Sequence, residues 1–117
     1  MRIFKIVHAS QWREAERGGE YHGSQKDRAD GFLHFSNADQ LSETLAKHYA
    51  GMADLVVVCV EGSRLGPTLK FEPSRNGELF PHLYGTLPMS AVSWSKPVEL
   101  RTDGSFELPP ELAGTAR

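Results

Sequence analysis

Gly31-Phe32-Leu33-His34-Phe35-Ser36-Asn37-Ala38-Asp39-Gln40 is the stretch on which the fold of this chain turns. Phe32, Leu33 and Phe35 suit a pleated, half-buried strand. His34 lies among them, where an imidazole is hard to explain as a surface group. Ser36, with Asp39 three positions on, has the form of a capping box. That pattern predicts a helix over residues 37–50 whose free N–H groups point back at the His34 strand. Strand, histidine and open helix start together predict the floor of a polar site.

A second stretch, Phe80-Pro81-His82-Leu83-Tyr84-Gly85, repeats the theme of an imidazole set among aromatics. The internal proline predicts an edge strand or an ordered loop, not a central strand. Phe80 and Leu83 are the core anchors. His82 and Tyr84 share one face of an extended segment, and Arg75 on the preceding loop covers the rim. His34 and His82 are 48 residues apart. Even so, the two stretches predict one shared pocket, with the rings closer than about 12 Å.

Outward from these stretches, residues 2–8 read as an interior strand, because Ile3, Phe4, Ile6 and Val7 are too dense for clean alternation. Ser10 is the expected N-cap of a helix from Gln11 to Arg17. Trp12 and Ala15 form its buried face, and Gly18-Gly19 stops it. Residues 20–30 are polar and without period, which predicts a loop or one helical turn. In the helix over 37–50, Ala38, Leu41, Leu45 and Tyr49 mark the apolar face. Leu55 to Glu61 is a β-branched run expected to be buried on both faces.

Thr68 to Glu72 alternates as a one-sided strand. Ala91 to Trp94 and Val98 to Arg101 read as two short strands around Lys96-Pro97, and Asp103-Gly104 as a hairpin turn. Residues 109–117 read as a loosely ordered tail. The expectation is one α+β domain over residues 1–108. It has a split, mostly antiparallel or mixed sheet of about six or seven strands and two main helices.

Composition narrows the function. The chain has 117 residues, 39% apolar and 24% charged, with a formal net charge of −2. No run of Lys or Arg exceeds two residues, so the balance favours a small-molecule partner over nucleic acid. No apolar run approaches the length of a membrane span, and the N-terminus has no leader-like pattern. Cys59, the single cysteine, lies in an apolar run and predicts a buried thiol in a reducing, cytoplasmic setting.

The histidines at 8, 22, 34, 48 and 82 have spacings of 14, 12, 14 and 34, which match no zinc signature. No metal site is therefore expected. His22 reads as a solvated loop residue and His48 as a favourable charge at a helix C-terminus. No G-x-S-x-G elbow and no glycine-rich phosphate loop is present. Glu72 and Arg75 put a carboxylate and a guanidinium near the two imidazoles, the parts needed to hold an anionic or polyol ligand.

Gly31 to Ser36, Ala38-Asp39-Gln40-Leu41, and Glu72-x-Ser74-Arg75-x-Gly77-x-x-Phe80-Pro81-His82-Leu83-Tyr84-Gly85 together resemble the bacterial family catalogued as domain of unknown function 952. The similarity runs from about residue 2 to 101. What the resemblance implies is an ADP-ribosyltransferase-like architecture, in which a split sheet carries a nicotinamide-dinucleotide cleft. His8-Ala9-Ser10 is similar to the His-Gly-Ser/Thr element of those transferases, with alanine in place of glycine.

On this basis the cleft is expected to bind NAD, ADP-ribose or a related nucleotide and to serve ADP-ribosyl or phosphoryl transfer. His34, His82 and Glu72 are the candidate catalytic residues. His8, Ser10, Ser36, Arg75 and Tyr84 are the candidate ligand-binding residues. The alternative is a ligand-sensing or protein-interaction module with a relic cleft.

Overall fold

The computed structural model describes residues 1–114. Its two longest apolar runs pair as antiparallel strands, β1 (Arg2–His8) with β4 (Leu55–Glu61), in continuous register from Arg2 opposite Glu61 to His8 opposite Leu55. Both faces of this pair are covered, which explains why neither run alternates. Ile3, Val7, Val58 and Val60 belong to one core with Trp12, Tyr21, Leu33, Phe35 and Leu83. Phe4, Ile6, Val57 and Cys59 belong to a second core with Leu41, Leu45 and Leu55. The strand β8 (Val92–Leu100) adds to β4, and β9 (Phe106–Glu107) adds to β8. The expected two short strands are thus one strand running through Lys96-Pro97. The Asp103-Gly104 turn closes the hairpin that sets Leu100 opposite Phe106.

Three helices and two smaller sheets complete the α+β fold. α1 (Ala9–Gly18) buries Trp12 and Ala15. It starts two residues before the expected Gln11, so Ser10 lies inside its first turn and caps nothing. His8 is the N-cap residue and makes no side-chain cap bond. Residues 25–30 form α2 (Gln25–Asp30), where only a loop or a single turn was expected. α3 (Leu41–His48) buries Leu41 and Leu45 as its spacing predicts. β2 (Glu20–Tyr21) pairs with β7 (Leu87–Pro88).

The third sheet has the order β3 (Leu33–His34), β6 (Leu79–Leu83), β5 (Leu69–Pro73), with antiparallel pairing throughout. The proline-containing segment is therefore its central strand, contrary to the sequence expectation. The physical reason lies in which way Pro81 faces. Phe35 N–H donates to Pro81 O (2.9 Å), while Tyr84 N–H donates to Thr68 O (2.9 Å). Odd positions of β6 thus face β3, and even positions face β5. Pro81 lacks the N–H that would return a bond to Phe35. The missing donor falls where the chain is already leaving the sheet.

Ser36 leaves β6 and pairs instead with β1. Phe4 N–H donates to Ser36 O and Ser36 N–H to Phe4 O, both at 2.8 Å. Segment 33–36 thus forks between two sheets. Beyond the fork β1 is a free edge. Its next outward residue, Ile6, accepts a long hydrogen bond from the Tyr49 hydroxyl (3.4 Å). The alternation of the ladder aims the Ile6 N–H the same way, and it meets no acceptor among the described residues.

The cap expected for α3 is not formed: its N-cap residue is Gln40, which makes no side-chain cap bond. Ser36 does not cap. Its Oγ lies 2.9 Å from Thr44 Oγ1, and its backbone is spent on Phe4. Asn37 and Gln40 make the reciprocal pair instead: Gln40 N–H donates to Asn37 Oδ1 (2.9 Å) and Asn37 N–H to Gln40 Oε1 (3.0 Å). That pair closes the turn at 37–40 ahead of the helix, and α3 itself begins at Leu41 and not at Asn37. Of the expected tail, residues 110–114 form a short 3-10 turn, and Leu112 is buried in the second core. Residues 115–117 lie outside the described residues.

Candidate functional site

The fork opens a cleft of about 130 Å³ between the free edge of β1, the β3–β6 pair and the C-terminal half of α3. His34 and His82 both line it. They are directly opposite each other across β3 and β6, and their ring centroids are 5.7 Å apart at an interplanar angle of 70°. The juxtaposition expected from sequence is present. Phe32 packs on both imidazoles, 4.1 Å from the His82 centroid and 4.6 Å from that of His34.

His82 is oriented by a carboxylate. Its Nδ1 lies 2.8 Å from Glu72 Oε1, since Lys70 stands opposite His82 on β5 and Glu72, opposite Phe80, is its diagonal neighbour on the same face. With hydrogen on Nδ1 that bond is donated to Glu72, and Nε2 is left as a bare lone pair. Nε2 has no hydrogen-bond partner among the described residues. Tyr84 donates to the same Glu72 oxygen (2.7 Å). The hydrogen bond from His82, then that from Tyr84, holds the Glu72 carboxyl below its ordinary range. The phenol of Tyr84 is pushed up by the same bond. Tyr84 lies outside the cleft lining and reaches the site through Glu72 and through Phe32, whose ring centroid is 5.2 Å from its own.

His34 is held more tightly. Its Nδ1 is 2.6 Å from Asp27 Oδ1 and its Nε2 is 2.9 Å from Asp30 Oδ2. Asp27 also accepts from His34 N–H (3.1 Å), from Ser24 N–H (2.8 Å) and from Lys5 Nζ at 2.9 Å. Ser24 and Asp27 form a complete capping box at the start of α2. Burial pushes the Asp27 carboxyl up, but the His34 bond, the Lys5 charge and the Ser24 amide outweigh it. The net result is a carboxyl well below the usual range. Lys5 projects from the middle of β1 into the wedge of the fork, where it also donates to His34 O (2.9 Å). Burial pulls its ammonium down, against the attraction of Asp27.

The rest of the lining mixes apolar and hydroxyl groups with the cations Lys26 and Arg75. Lys26, His48 and Arg75 contribute to it, with Ser36, Thr44 and Tyr49. Arg75 is fixed by Glu43 (3.2 Å) and Thr44 Oγ1 (3.2 Å) and lies over the Phe80 ring at 4.8 Å. The His48 imidazole is pushed down, first by burial and then by Arg75, Lys26, His34 and Lys47.

Of the residues expected at the site, His34, His82, Ser36 and Arg75 line the cleft, and Glu72 backs it through His82. His8 and Ser10 are not brought in. His8 sits at the junction of β1 and α1 with its ring 6.4 Å from Tyr49, and Ser10 is exposed. Lys5, Asp27, Asp30 and His48 were not anticipated. Two signals for them exist in the sequence. Ser24-x-x-Asp27 has the same capping-box form as Ser36-x-x-Asp39, and a lysine inside Ile3-Phe4-Lys5-Ile6-Val7 needs a buried counter-charge. Among the described residues no three His, Cys, Asp or Glu side chains converge as metal ligands. Among the same residues no helix is long and apolar enough to cross a membrane.

No curated protein matches the chain. The crystal structure of protein CC0527 from Caulobacter crescentus matches with 42% identity and a TM-score of 0.91, over 97% of this chain and 99% of that one. The solution structure of CC0527 matches with 43% identity and a TM-score of 0.80, over 89% and 90%. The model of the protein family of unknown function DUF952 matches residues 6–95, and the chain belongs to that family.

Proposed function

We propose that the cleft binds a small anionic, nucleotide-like ligand of the NAD or ADP-ribose class and that His82 acts on it as a general base. The observation that carries this is the Glu72–His82 contact of 2.8 Å, which leaves Nε2 unpartnered among the described residues in a cleft that Arg75 and Lys26 also line. A carboxylate on Nδ1 orients the ring and stabilises the charge it gains when Nε2 takes a proton. Arg75 and Lys26 offset negative charge on the ligand.

The cleft volume of about 130 Å³ suits a phosphate-and-sugar-sized fragment, with the remainder of a dinucleotide lying across the open mouth. A relation to ADP-ribosyltransferase-like folds belongs to the same proposal; its support is the sheet split at Ser36 with the cleft at the fork. So does a cytoplasmic setting, supported by the free, buried thiol of Cys59.

The test is NMR titration of the histidine ring signals with NAD, ADP-ribose and inorganic phosphate. Binding raises the His48 pKa, because an anion cancels the field of Arg75 and Lys26. Arg75→Met raises it without ligand and weakens binding. Histidine signals that do not move at millimolar ligand remove the proposal.

The second reading is a binding module without chemistry. It is favoured by two observations: His8 and Ser10 lie outside the cleft, and both ring nitrogens of His34 are occupied by carboxylates. Ligand that binds and is recovered unchanged after prolonged incubation selects it.

A further inference from the structure

We infer that the bond acted on in this cleft is a phosphate ester, with His82 and His34 dividing its two proton transfers; this rests on the reading that the cleft takes a nucleotide-like anion. The two imidazoles have matching supports. Each Nδ1 faces its own carboxylate, Glu72 at 2.8 Å and Asp27 at 2.6 Å. Each ring is thereby fixed, with Nε2 as its working nitrogen. The rings are 5.7 Å apart. That is close enough for both to reach one tetrahedral group with hydrogen bonds of about 3 Å. Phe32 packs against both.

In-line displacement at phosphorus needs a proton removed from the attacking oxygen and a proton supplied to the leaving oxygen. It also needs positive charge around the equatorial oxygens. Arg75 and Lys26 supply that charge, and the unpaired Ile6 N–H on the free edge of β1 adds a fixed donor.

The step balances without a further reactant class. Water, or a hydroxyl of the ligand itself, gives its proton to His82 Nε2 while its oxygen forms the new P–O bond. The ester P–O bond breaks, its electron pair leaves with the alkoxide oxygen, and that oxygen takes the proton from His34 Nε2. Exchange with solvent restores both rings.

Asp30 shows where the leaving oxygen sits. Its Oδ2 lies 2.9 Å from His34 Nε2 and 3.2 Å from Lys26 Nζ, on a side chain 39% exposed. A carboxylate oxygen between those two donors is an internal stand-in for a phosphate-ester oxygen, and substrate displaces it toward solvent.

The test uses the full chain with orthovanadate, which adopts the five-coordinate geometry of phosphoryl transfer, against sulfate, followed by calorimetry. Vanadate is expected to bind about tenfold tighter or more than sulfate. His34→Gln and His82→Gln abolish that preference, and Asp30→Ala strengthens vanadate binding several-fold. A 2′,3′-cyclic nucleotide is opened by the wild type and by neither histidine variant, read by phosphorus NMR.

ADP-ribose titrated in parallel separates the two readings. If it binds while vanadate does no better than sulfate, the phosphate-ester step is overturned and the binding reading stands. If it does not bind while vanadate is held through both histidines, the dinucleotide part of that reading falls, while its anion-binding part, on which the phosphate chemistry rests, stands. Should the His34 variant not fold, Asp30→Ala at its exposed side chain decides: unchanged or weaker vanadate binding overturns the inference.

Discussion

Lys5 and Asp27 form an ion pair of 2.9 Å with side chains only 4% and 2% exposed. A pair this dry persists because the carboxylate has further donors in Ser24 N–H and His34, so no charge is left bare. The two partners are therefore unequal. Asp27→Ala strands the Lys5 ammonium, uncaps α2 and removes the partner of His34 Nδ1, and should cost about 3–5 kcal/mol. Lys5→Met leaves Asp27 with its other donors and fits an apolar wall, where Tyr21 and Phe35 already face the ammonium. It should cost clearly less. Urea denaturation of the two variants decides, and a Lys5→Met loss as large as that of Asp27→Ala refutes the asymmetry.

The same carboxyl gives the acid limb of stability a sign. Asp27 is held below its unfolded value, so the unfolded chain binds more protons in the window between the two pKa values. Its contribution is complete above the unfolded pKa and is lost as pH falls through the folded one. Stability should therefore rise with pH across the acid range, by at most about 1.4 kcal/mol per pH unit from this group. Asp30 and Glu72 are shifted the same way, so the diagnostic is a difference. Asp27→Asn should flatten the slope of the urea midpoint against pH between wild type and variant, and parallel slopes would refute the assignment.

How much of this was legible follows from where the constraints come from. β1 and β4 were readable to the residue because dense apolar runs leave few alternatives for burial. The His34–His82 contact was readable because each imidazole sat in an apolar frame that had to face inward. The start of α3 was misplaced because Ser36, Asn37, Asp39 and Gln40 offer two overlapping boxes. Local chemistry does not choose between them; the tertiary pairing of Ser36 with Phe4 does. Pro81 misled for a related reason. A proline costs a strand only the bond on the side it faces, and that side depends on a partner 46 positions away, Phe35. Asp27 escaped because the polar stretch 20–30 carries no periodicity. Its importance comes from Lys5, which no local window connects to it.

Gly23 secures this cluster from below. It has φ 106°, and a Cβ there would lie 2.7 Å from Leu33 Cδ2 and 2.9 Å from Asp27 Cβ. Gly19, at φ 91°, has nothing within 4 Å. Gly19→Ala should cost only the positive-φ strain of about 1–2 kcal/mol. Gly23→Ala adds overpacking, for a total of about 2–5 kcal/mol. It should also shift the His34 ring signals, since Asp27 must move. Equal losses in thermal melts of the two variants would mean that the contact at Gly23 relaxes freely.

The tautomer of His82 can be settled before any ligand is known. Glu72 accepts at 2.8 Å and cannot donate while ionised, and its carboxyl is held below the ordinary range by His82 and Tyr84. The neutral ring must then carry its hydrogen on Nδ1, leaving Nε2 as the free base. Long-range proton–nitrogen correlation at alkaline pH, where imidazoles are neutral, should give a pyridine-like shift for Nε2 and a pyrrole-like shift for Nδ1. Glu72→Ala removes the acceptor that faces Nδ1 among the described residues and should move His82 toward the Nε2–H form that predominates in free imidazole side chains. Glu72→Gln keeps an acceptor oxygen and should retain the Nδ1–H form, separating orientation from charge. An Nε2–H tautomer in the wild type would take the general base out of the cleft, and His82 would then be a donor that helps bind the ligand and does not deprotonate it.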